Sequence, residues 1–338
     1  MKIKPVVIVT LASLAYSQSL LAAEEIITGV TLSGFVNTEV RYKNDYNEVD
    51  SSDIAVDEIN LTIEGQVHKF AKATLSLKYE EDTTPLEVDK AFLTLNAGDS
   101  PLYLQIGQLY VPFGNFSSHM ISDPFIKFAE ARESAAQIGI ETGGFYGSVY
   151  GFNGVTQDDV LNTIDHYGLN LGFSQETDSM NLDAGIGYIS DIGDVGGMEK
   201  MLDGVNDYDY IAGIDAYLNI EAGAFSFVGE YVTALDNFKA EHVGFNGAGA
   251  EPKAYNLEVG FNFNLADRDS TVALGYQASE EALALRIPEQ GMVGTLSTQV
   301  YTNTTLSLEY ALNEDYSKED GGTGEESSSV ILQLAVNF

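Results

Sequence analysis

The sequence has 338 residues, a formal net charge of −35 and no cysteine. Such acidity excludes nucleic acid as a partner, because the phosphates would be repelled, and the lack of cysteine excludes a disulfide framework. The first 23 residues have a basic start at Lys2 and Lys4, an apolar run over residues 6–15, and small residues at Ala22 and Ala23. This order predicts a secretory signal peptide at residues 1–23, with residues 24–338 as the mature chain.

From about residue 29 onward, apolar and polar residues alternate, which places successive side chains on opposite faces of a β-strand. The last segment is the clearest, because Val330, Leu332, Leu334 and Val336 share one face while Gln333 lies on the other. We predict about sixteen strands of roughly 9–13 residues, an even number as in bacterial single-chain barrels. They start near residues 29, 54, 71, 86, 101, 134, 144, 164, 179, 208, 222, 253, 269, 289, 304 and 328.

The connections between these strands alternate in length. The short ones fall at residues 68–71, 97–101, 142–144, 175–179, 220–223, 264–269 and 301–304. The longer ones fall at residues 43–53, 111–133, 191–207, 235–252 and 313–327. Short periplasmic turns and longer outer loops are typical of outer-membrane barrels.

Tyrosines at the outer ends of the strands predict an aromatic girdle at the membrane surface; they are Tyr42, Tyr79, Tyr110, Tyr167, Tyr188, Tyr231, Tyr255, Tyr276 and Tyr310. A soluble β-sandwich also alternates, but it requires neither this girdle nor the loop asymmetry. The predicted fold is therefore all-β: a transmembrane, antiparallel, up-and-down β-barrel forming one domain. Only a few residues separate Ala23 from the first strand, so we expect no plug domain.

A barrel of about this strand number has room for an aqueous lumen. The predicted lumen residues are Glu39, Glu58, Glu64, Arg41, Lys78 and Lys90. Further inward acids are Glu80, Glu141, Asp215, Glu230, Glu258 and Glu309. This excess of carboxylates predicts a lumen that favours cations. The alternative is that the carboxylates only solvate the interior.

The longest connection, residues 111–133, is unusually apolar for a loop in water. Such a loop should bury its apolar side chains, and folding into the barrel would narrow the lumen. We therefore predict a constriction that also contacts the ligand, formed by Phe113, Phe116, Asp123, Lys127, Glu130, Arg132 and Glu133. Alternatively, the loop packs against a neighbouring subunit or closes the outer mouth.

Signals for an enzyme are weak. The sequence has no nucleophile elbow, paired-histidine helix or phosphate loop, and its four histidines are in separate turns or loops: His68, His119, His166 and His242. We expect no catalytic residue and no cofactor. The outer loops carry acidic clusters, one of which is Asp191, Asp194, Glu199, Asp203 and Asp207. Their spacing matches no defined calcium loop, so we interpret them as solvated charge and predict no metal site.

Five short segments together resemble the LbtU-type siderophore porin family: GQLYVPFG at 107–114, ISDP at 121–124, EARES at 130–134, LEYA at 308–311 and NEDY at 313–316. The resemblance implies an outer-membrane channel that takes up a small-molecule ferric siderophore. Anionic complexes fit an acidic lumen poorly. Lys127 and Arg132, with Arg286 in a separate outer loop, would then supply a local binding site.

The sequence is also compatible with two other functions. One is a general or cation-preferring diffusion porin without a role in iron uptake, and the other is a barrel whose outer loops serve adhesion or membrane integrity. The expected partners are outer-membrane lipid, lipopolysaccharide and small solutes. A homotrimer is expected only by analogy with porins of this size.

Overall fold

The computed structural model describes residues 24–27, 29–154, 163–202, 205 and 209–338. The predicted signal peptide, Asp203 and Asp207 lie outside these residues. Within the described part, sixteen long strands form one closed antiparallel sheet in which each strand pairs with its sequence neighbours. The predicted sixteen-stranded barrel is thus confirmed.

The strands are β1 Val30–Asn44, β2 Asp50–His68, β3 Ala71–Glu80, β4 Thr84–Asn96, β5 Leu102–Tyr110, β6 Arg132–Thr142, β7 Phe145–Phe152, β8 His166–Glu176, β9 Met180–Ile189, β10 Gly213–Ala222, β11 Phe225–Ala234, β12 Lys253–Leu265, β13 Arg268–Glu280, β14 Gln290–Tyr301, β15 Thr304–Glu314 and β16 Glu326–Asn337. Each predicted strand has a counterpart. The largest offset is at β10, which begins at residue 213 instead of about 208, because the preceding loop extends further than the alternation indicates.

The barrel closes between its last strand and its first. Val330 of β16 lies opposite Tyr42 of β1 in the sheet register. At the end of the chain, the Phe338 N–H donates to the Gly34 carbonyl, and the Gly34 N–H donates to the Phe338 carbonyl, both at 2.9 Å. A short strand, Glu24–Ile27, then pairs with the remaining edge of β1. Closure satisfies the backbone hydrogen bonds that an open sheet edge would leave unmade in lipid.

The barrel has an apolar outer face and a polar inner face. On β15, Leu306, Leu308 and Tyr310 are 39, 48 and 54 % exposed, whereas Ser307 and Glu309 are 6 and 1 % exposed. Because alternate side chains point to opposite faces of a strand, the exposed set faces outward. This is the arrangement that a β-barrel needs in lipid.

The tyrosine girdle is present in part. Tyr42, Tyr167, Tyr231 and Tyr310 are all more than 40 % exposed on the apolar outer face. Tyr110 differs, because its hydroxyl donates to the Asp89 carboxylate at 2.8 Å, and Asp89 is buried. The assignment of Tyr110 to the girdle was therefore wrong: a buried hydrogen-bond acceptor takes its hydroxyl away from the membrane surface.

In the part of the chain that the structure describes, the other elements lie in the outer loops. Three 3-10 helices occupy Phe125–Ala129, Ile192–Asp194 and Leu283–Leu285, a short helix α1 spans Gly196–Leu202, and Gly244–Phe245 pairs with Ala248–Gly249. Among the described residues, no helix has the length and apolar content needed to cross a bilayer.

The main apolar core lies inside the barrel, where two loops meet the wall. These are the third loop (residues 111–131) and the fifth loop (residues 190–212). The core combines third-loop side chains such as Phe113 and Ile126 with fifth-loop side chains such as Ile192 and Met198, all fully buried. Packing against β7, β9 and β11 lets both loops bury apolar surface that an external loop would expose to water.

Candidate functional site: the lumen and its inward-folded loop

The third loop lies inside the barrel, as its apolar content predicts. Phe113 packs against β9 at Gly187, where an added β-carbon would stand 3.3 Å from the Phe113 Cα. Met120 packs against β13 at Gly275, where an added β-carbon would stand 2.9 Å from the Met120 Cε. Glycine at these two strand positions lets the loop approach the wall closely.

Two wall glutamates hold the first half of the third loop by its backbone. Glu230 on β11 accepts the N–H groups of Asn115 and Phe116, one on each carboxylate oxygen and both at 2.7 Å. Glu258 on β12 accepts the Ser118 hydroxyl at 2.7 Å and the His119 N–H at 2.6 Å. Hydrogen bonds to a charged acceptor are among the strongest that proteins make.

Two further wall side chains, on β15 and β13, hold the backbone of the third loop. Glu309 on β15 accepts the N–H groups of Ile121 at 2.5 Å and Ser122 at 3.1 Å. Gln277 on β13 accepts the N–H of Phe125 at 2.6 Å. A buried backbone N–H without an acceptor is costly, so these side chains supply partners that an irregular loop cannot find within itself. The wall therefore sets the path of the loop.

This attachment changes the role of three predicted lumen acids. Glu230, Glu258 and Glu309 are 3, 1 and 1 % exposed. The expectation that they attract cations from the lumen was wrong. The loop covers them, and its N–H and hydroxyl donors satisfy their oxygens.

Polar side chains on β1 and β2 form a charged group on the inner face. The Arg41 Nε lies 2.5 Å from a Glu39 carboxylate oxygen, and the Arg41 guanidinium also contacts Asp57. Gln333 donates to Glu39 at 2.7 Å. The ladder pairs Asn37 with Glu58 and Thr38 with Val56, which leaves Asp57 as a bulge residue. A bulge re-aims a side chain, and here it brings a second carboxylate to Arg41.

The other predicted lumen residues lie on β2, β3 and β4. The Lys78 Nζ is 2.9 Å from Glu80 and 4.0 Å from Glu58, and Glu64 pairs with Lys72 at 2.6 Å. The Lys90 Nζ lies 5.4 Å from the centroid of the Tyr110 ring. Most of these charged groups therefore have a partner on a neighbouring strand.

Three of the predicted constriction residues come together on the third loop. The Lys127 Nζ lies 2.6 Å from Glu130 and 5.8 Å from the centroid of the Phe116 ring. Burial lowers the pKa of Lys127, but the charges of Glu130 and Asp123 outweigh burial and hold the pKa above its ordinary value. Lys127 therefore stays cationic at neutral pH.

The charged part of the third loop faces strands β2 and β3. Asp123 is exposed and is near enough to Asp57 for their charges to repel. Lys127 is likewise near enough to Lys78 for repulsion between their charges. The charged part of the third loop and the charged groups of the wall therefore lie near one another inside the barrel.

The remaining three predicted constriction residues do not join this group; they are Arg132, Phe113 and Glu133. Arg132 starts β6, and its guanidinium reaches β4, at 2.5 Å from Glu87 and 3.5 Å from Asp89. Phe113 belongs to the apolar core. Glu133 is buried and interacts electrostatically with Asp194 and Glu199 of the fifth loop. These three residues were predicted to form one constriction because they are close in the chain. Arg132 and Glu133 instead lie at the start of β6 in the barrel wall, whereas Phe113 lies in the third loop.

The charges that surround the passage are mostly acidic. Arg41, Lys78, Lys127 and Arg132 each contact at least one carboxylate, and all except Lys127 contact two. A lumen with an excess of carboxylates concentrates small cations and repels small anions.

One acidic cluster does not match its interpretation as solvated charge. Asp191 and Asp194 of the fifth loop are 0 and 1 % exposed, so that interpretation was wrong for both. The Asp191 carboxylate accepts the Gly193 N–H at 2.9 Å and caps the 3-10 helix Ile192–Asp194. The loop folds inward with its apolar residues and carries these carboxylates with it.

No protein-family model matches the chain. A UPF0422 protein of Legionella pneumophila is 27 % identical over 91 % of this chain and 66 % of its own length. A UPF0422 protein of Coxiella burnetii is 25 % identical over 90 % of this chain and 69 % of its own length. The chain thus spans about two thirds of the curated relatives that it matches.

Solved structures with the same fold include an outer membrane channel, DcaP, and an outer membrane protein, OmpT. The channel DcaP of Acinetobacter baumannii has a TM-score of 0.60 at 14 % identity, over 94 % of this chain and 100 % of its own. OprB of Pseudomonas putida has a TM-score of 0.65 at 9 % identity, over 92 and 94 %. The trimer form of OmpT from Vibrio cholerae has a TM-score of 0.54 at 11 % identity, over 91 and 99 %. The chain therefore has the porin-like fold of outer-membrane channels.

Proposed function

We propose that this chain is an outer-membrane channel, and not an enzyme, and that its third loop narrows the passage for small solutes. The observation that carries this proposal is the attachment of the loop backbone to Glu230, Glu258 and Glu309. These bonds fix the loop inside the barrel and leave Asp123 and Lys127 facing the charged wall. Export by a signal peptide at residues 1–23 and insertion into outer-membrane lipid are part of the same proposal.

The acidic surroundings favour a preference for cations. In planar bilayers with a KCl gradient, the purified chain should form channels whose reversal potential has the sign of a cation-selective pore. Deletion of residues 116–128 should raise the single-channel conductance, and an unchanged conductance would contradict the constriction. A complete lack of conductance would favour the alternative in which the outer loops serve adhesion or membrane integrity.

Uptake of a ferric siderophore is the second candidate. Its support is that two of the segments behind the family resemblance, residues 121–124 and 130–134, include charged residues around the passage. Lys127 and Arg132 are the basic groups there. Each already contacts a carboxylate, so an anionic complex would have to displace Glu130 or Glu87. A neutral or cationic ferric complex fits this charge distribution better.

Two experiments test the iron role. A deletion strain should grow poorly under iron limitation when the purified siderophore is the only iron source, and normal growth would reject this candidate in favour of a general porin. If the complex is anionic, the variants Lys127→Ala and Arg132→Ala should take up less of the labelled ferric siderophore. Unchanged uptake would exclude these two residues as its binding site.

We also propose that the barrel assembles as a homotrimer and contacts lipopolysaccharide through its outer loops. The trimer form of the structural neighbour OmpT supports the first part by analogy of fold. Light scattering of the detergent-solubilised chain measures the mass of the assembly, and a monomer mass at all protein concentrations would contradict the trimer.

A further inference from the structure

We propose that His166, Asp191 and Asp194 bind one divalent transition-metal ion at the outer end of the barrel. His166 begins β8, and the two aspartates lie in the fifth loop. One potential ligand atom from each residue lies within 4.8 Å of the other two. All three residues are buried, at 1, 0 and 1 % exposure.

His166 provides the observation that points to a ligand. Its side chain is fully buried, and its Nδ1 lies 3.5 Å from Oδ2 of Asp194. Neither ring nitrogen makes a hydrogen bond. Buried polar groups are almost always hydrogen-bonded, because leaving one unsatisfied is costly. A cation between the imidazole and the carboxylate would satisfy Nδ1 directly.

The far side of the imidazole has the surroundings of a metal ligand. Its Nε2 lies 3.4 Å from Oδ1 of Asp165, and the Tyr210 hydroxyl donates to Oδ2 of Asp165 at 3.1 Å. A metal-bound histidine usually directs its second N–H toward a carboxylate, which fixes the tautomer and the ring. The Phe152 ring stacks on the imidazole at 5.4 Å between centroids.

The two aspartates are held by the fold of the loop. Asp191 accepts the N–H groups of Gly193 at 2.9 Å and Ile211 at 3.3 Å. Gly154 leaves space for Asp194, because a β-carbon there would collide with Oδ2 of Asp194 and stand 2.6 Å from Cδ2 of His166. The chain thus packs closely around the three potential ligands.

Charge and ligand type select the class of ion. Two carboxylates balance a divalent charge, and the cation would also offset the repulsion between Asp194 and Glu133. Imidazole favours zinc and similar ions over calcium or magnesium, while carboxylates also suit manganese. Tetrahedral ligand atoms about 2.0–2.2 Å from one ion stand about 3.3–3.6 Å apart. The 3.5 Å between Nδ1 of His166 and Oδ2 of Asp194 already meets this spacing, and the Asp191 carboxylate, whose ligand atom lies within 4.8 Å of those of His166 and Asp194, would move closer to complete it.

The site would join β8 to the fifth loop, which supports the third loop. The Gly196 N–H donates to the Glu130 carbonyl at 2.9 Å, and Met198 packs in the core that contains Phe128. Metal binding should therefore stabilise the folded chain.

Zinc is the probe for the test. The full chain, folded in detergent and stripped with a chelator, should bind one Zn²⁺ by calorimetry and metal analysis, and its melting temperature should rise. The variants His166→Phe and Asp194→Asn should lose both effects. Asp165→Asn removes only the acceptor behind the imidazole and should weaken binding roughly 10–100-fold. His68→Phe, at the other end of the barrel, is the matched control and should bind as the unmodified chain does.

Three results would overturn the site. One is that the folded chain binds no Zn²⁺, and another is that Asp194→Asn and Asp165→Asn both bind it with unchanged affinity. The third result is that His166→Phe lowers the melting temperature while Zn²⁺ alters neither protein, which would show a charged His166 paired with Asp165 and Asp194. If Asp194→Asn fails to fold, the Zn²⁺ affinity of Asp165→Asn tests the site instead, and an affinity equal to that of the unmodified chain would overturn it.

Discussion

Glu258 and His119 are joined inside the barrel, although they are 139 positions apart in the chain: Oε2 of Glu258 accepts the His119 N–H at 2.6 Å. The other oxygen of the same carboxylate accepts the Ser118 hydroxyl and the Asn256 side-chain amide, at 2.7 and 2.8 Å. Glu230 and Glu309 repeat this contact with other third-loop residues. The strands thus hold the backbone of the third loop inside the barrel.

Glu258→Gln should loosen the third loop. An amide NH₂ cannot accept a hydrogen bond, so one loop donor loses its partner, at a cost of about 1–3 kcal/mol for a buried group. The variant should unfold at a lower denaturant concentration, and its single-channel current should be noisier. Glu64→Gln, which removes a lumen carboxylate that pairs with Lys72, is the control and should keep a quiet current. Equal noise in both variants would mean that Glu258 does not hold the loop.

Gly275→Leu should crowd the third loop at the Met120 side chain. A β-carbon at this position would stand 2.9 Å from the Met120 Cε, and overpacking of this kind costs about 1–3 kcal/mol. Stability should fall, and the single-channel conductance should change. At Gly65 on β2, an added β-carbon meets no atom within 4 Å. Gly65→Leu should therefore alter both quantities much less, and an equal effect at the two sites would contradict the close packing at Gly275.

Glu130→Gln should reduce the preference for cations. The substitution removes the carboxylate that lies 2.6 Å from the Lys127 Nζ and leaves a cation beside the passage. Asp123 also raises the pKa of Lys127 and remains in the variant, so Lys127 should stay charged at neutral pH there as well. The reversal potential in a KCl gradient should move toward zero. Glu319→Gln, at an exposed position in the outer loop between β15 and β16, removes the same charge and should leave the potential nearly unchanged. A potential unchanged in Glu130→Gln would place Glu130 away from the ion path.

The strands were predictable because lipid and water impose opposite demands on alternate residues. In β15, the period of two alone separates Leu308 from Glu309 and assigns each to its face. Bulges were not predictable in this way. Asp57 and Asp89 each interrupt the pairing of their strand, and each contacts an arginine, Arg41 or Arg132. Alternation predicts which face each residue of a regular strand occupies, but it does not show where a bulge adds a residue to the strand.

The inward fold of the third loop was predictable from its phenylalanines, because apolar surface must be buried. Its attachment was not, since Glu258 looks in sequence like any inward carboxylate. Only the path of the loop shows that its N–H groups meet this side chain. The burial of Asp194 was missed for the same reason, because an acidic run looks solvated until the apolar residues around it, such as Ile192, are seen to fold inward.

The most direct test of the third loop as a constriction uses the lack of cysteine in the chain. A single cysteine is introduced by Asp123→Cys, at the exposed position facing Asp57, and a bulky methanethiosulfonate reagent is added during single-channel recording. Glu319→Cys, in an exposed outer loop, is the control. Modification at residue 123 should lower the conductance in a step that a thiol reductant reverses, and modification at residue 319 should not. Complete labelling of residue 123 without a change in conductance would contradict a constriction at the third loop.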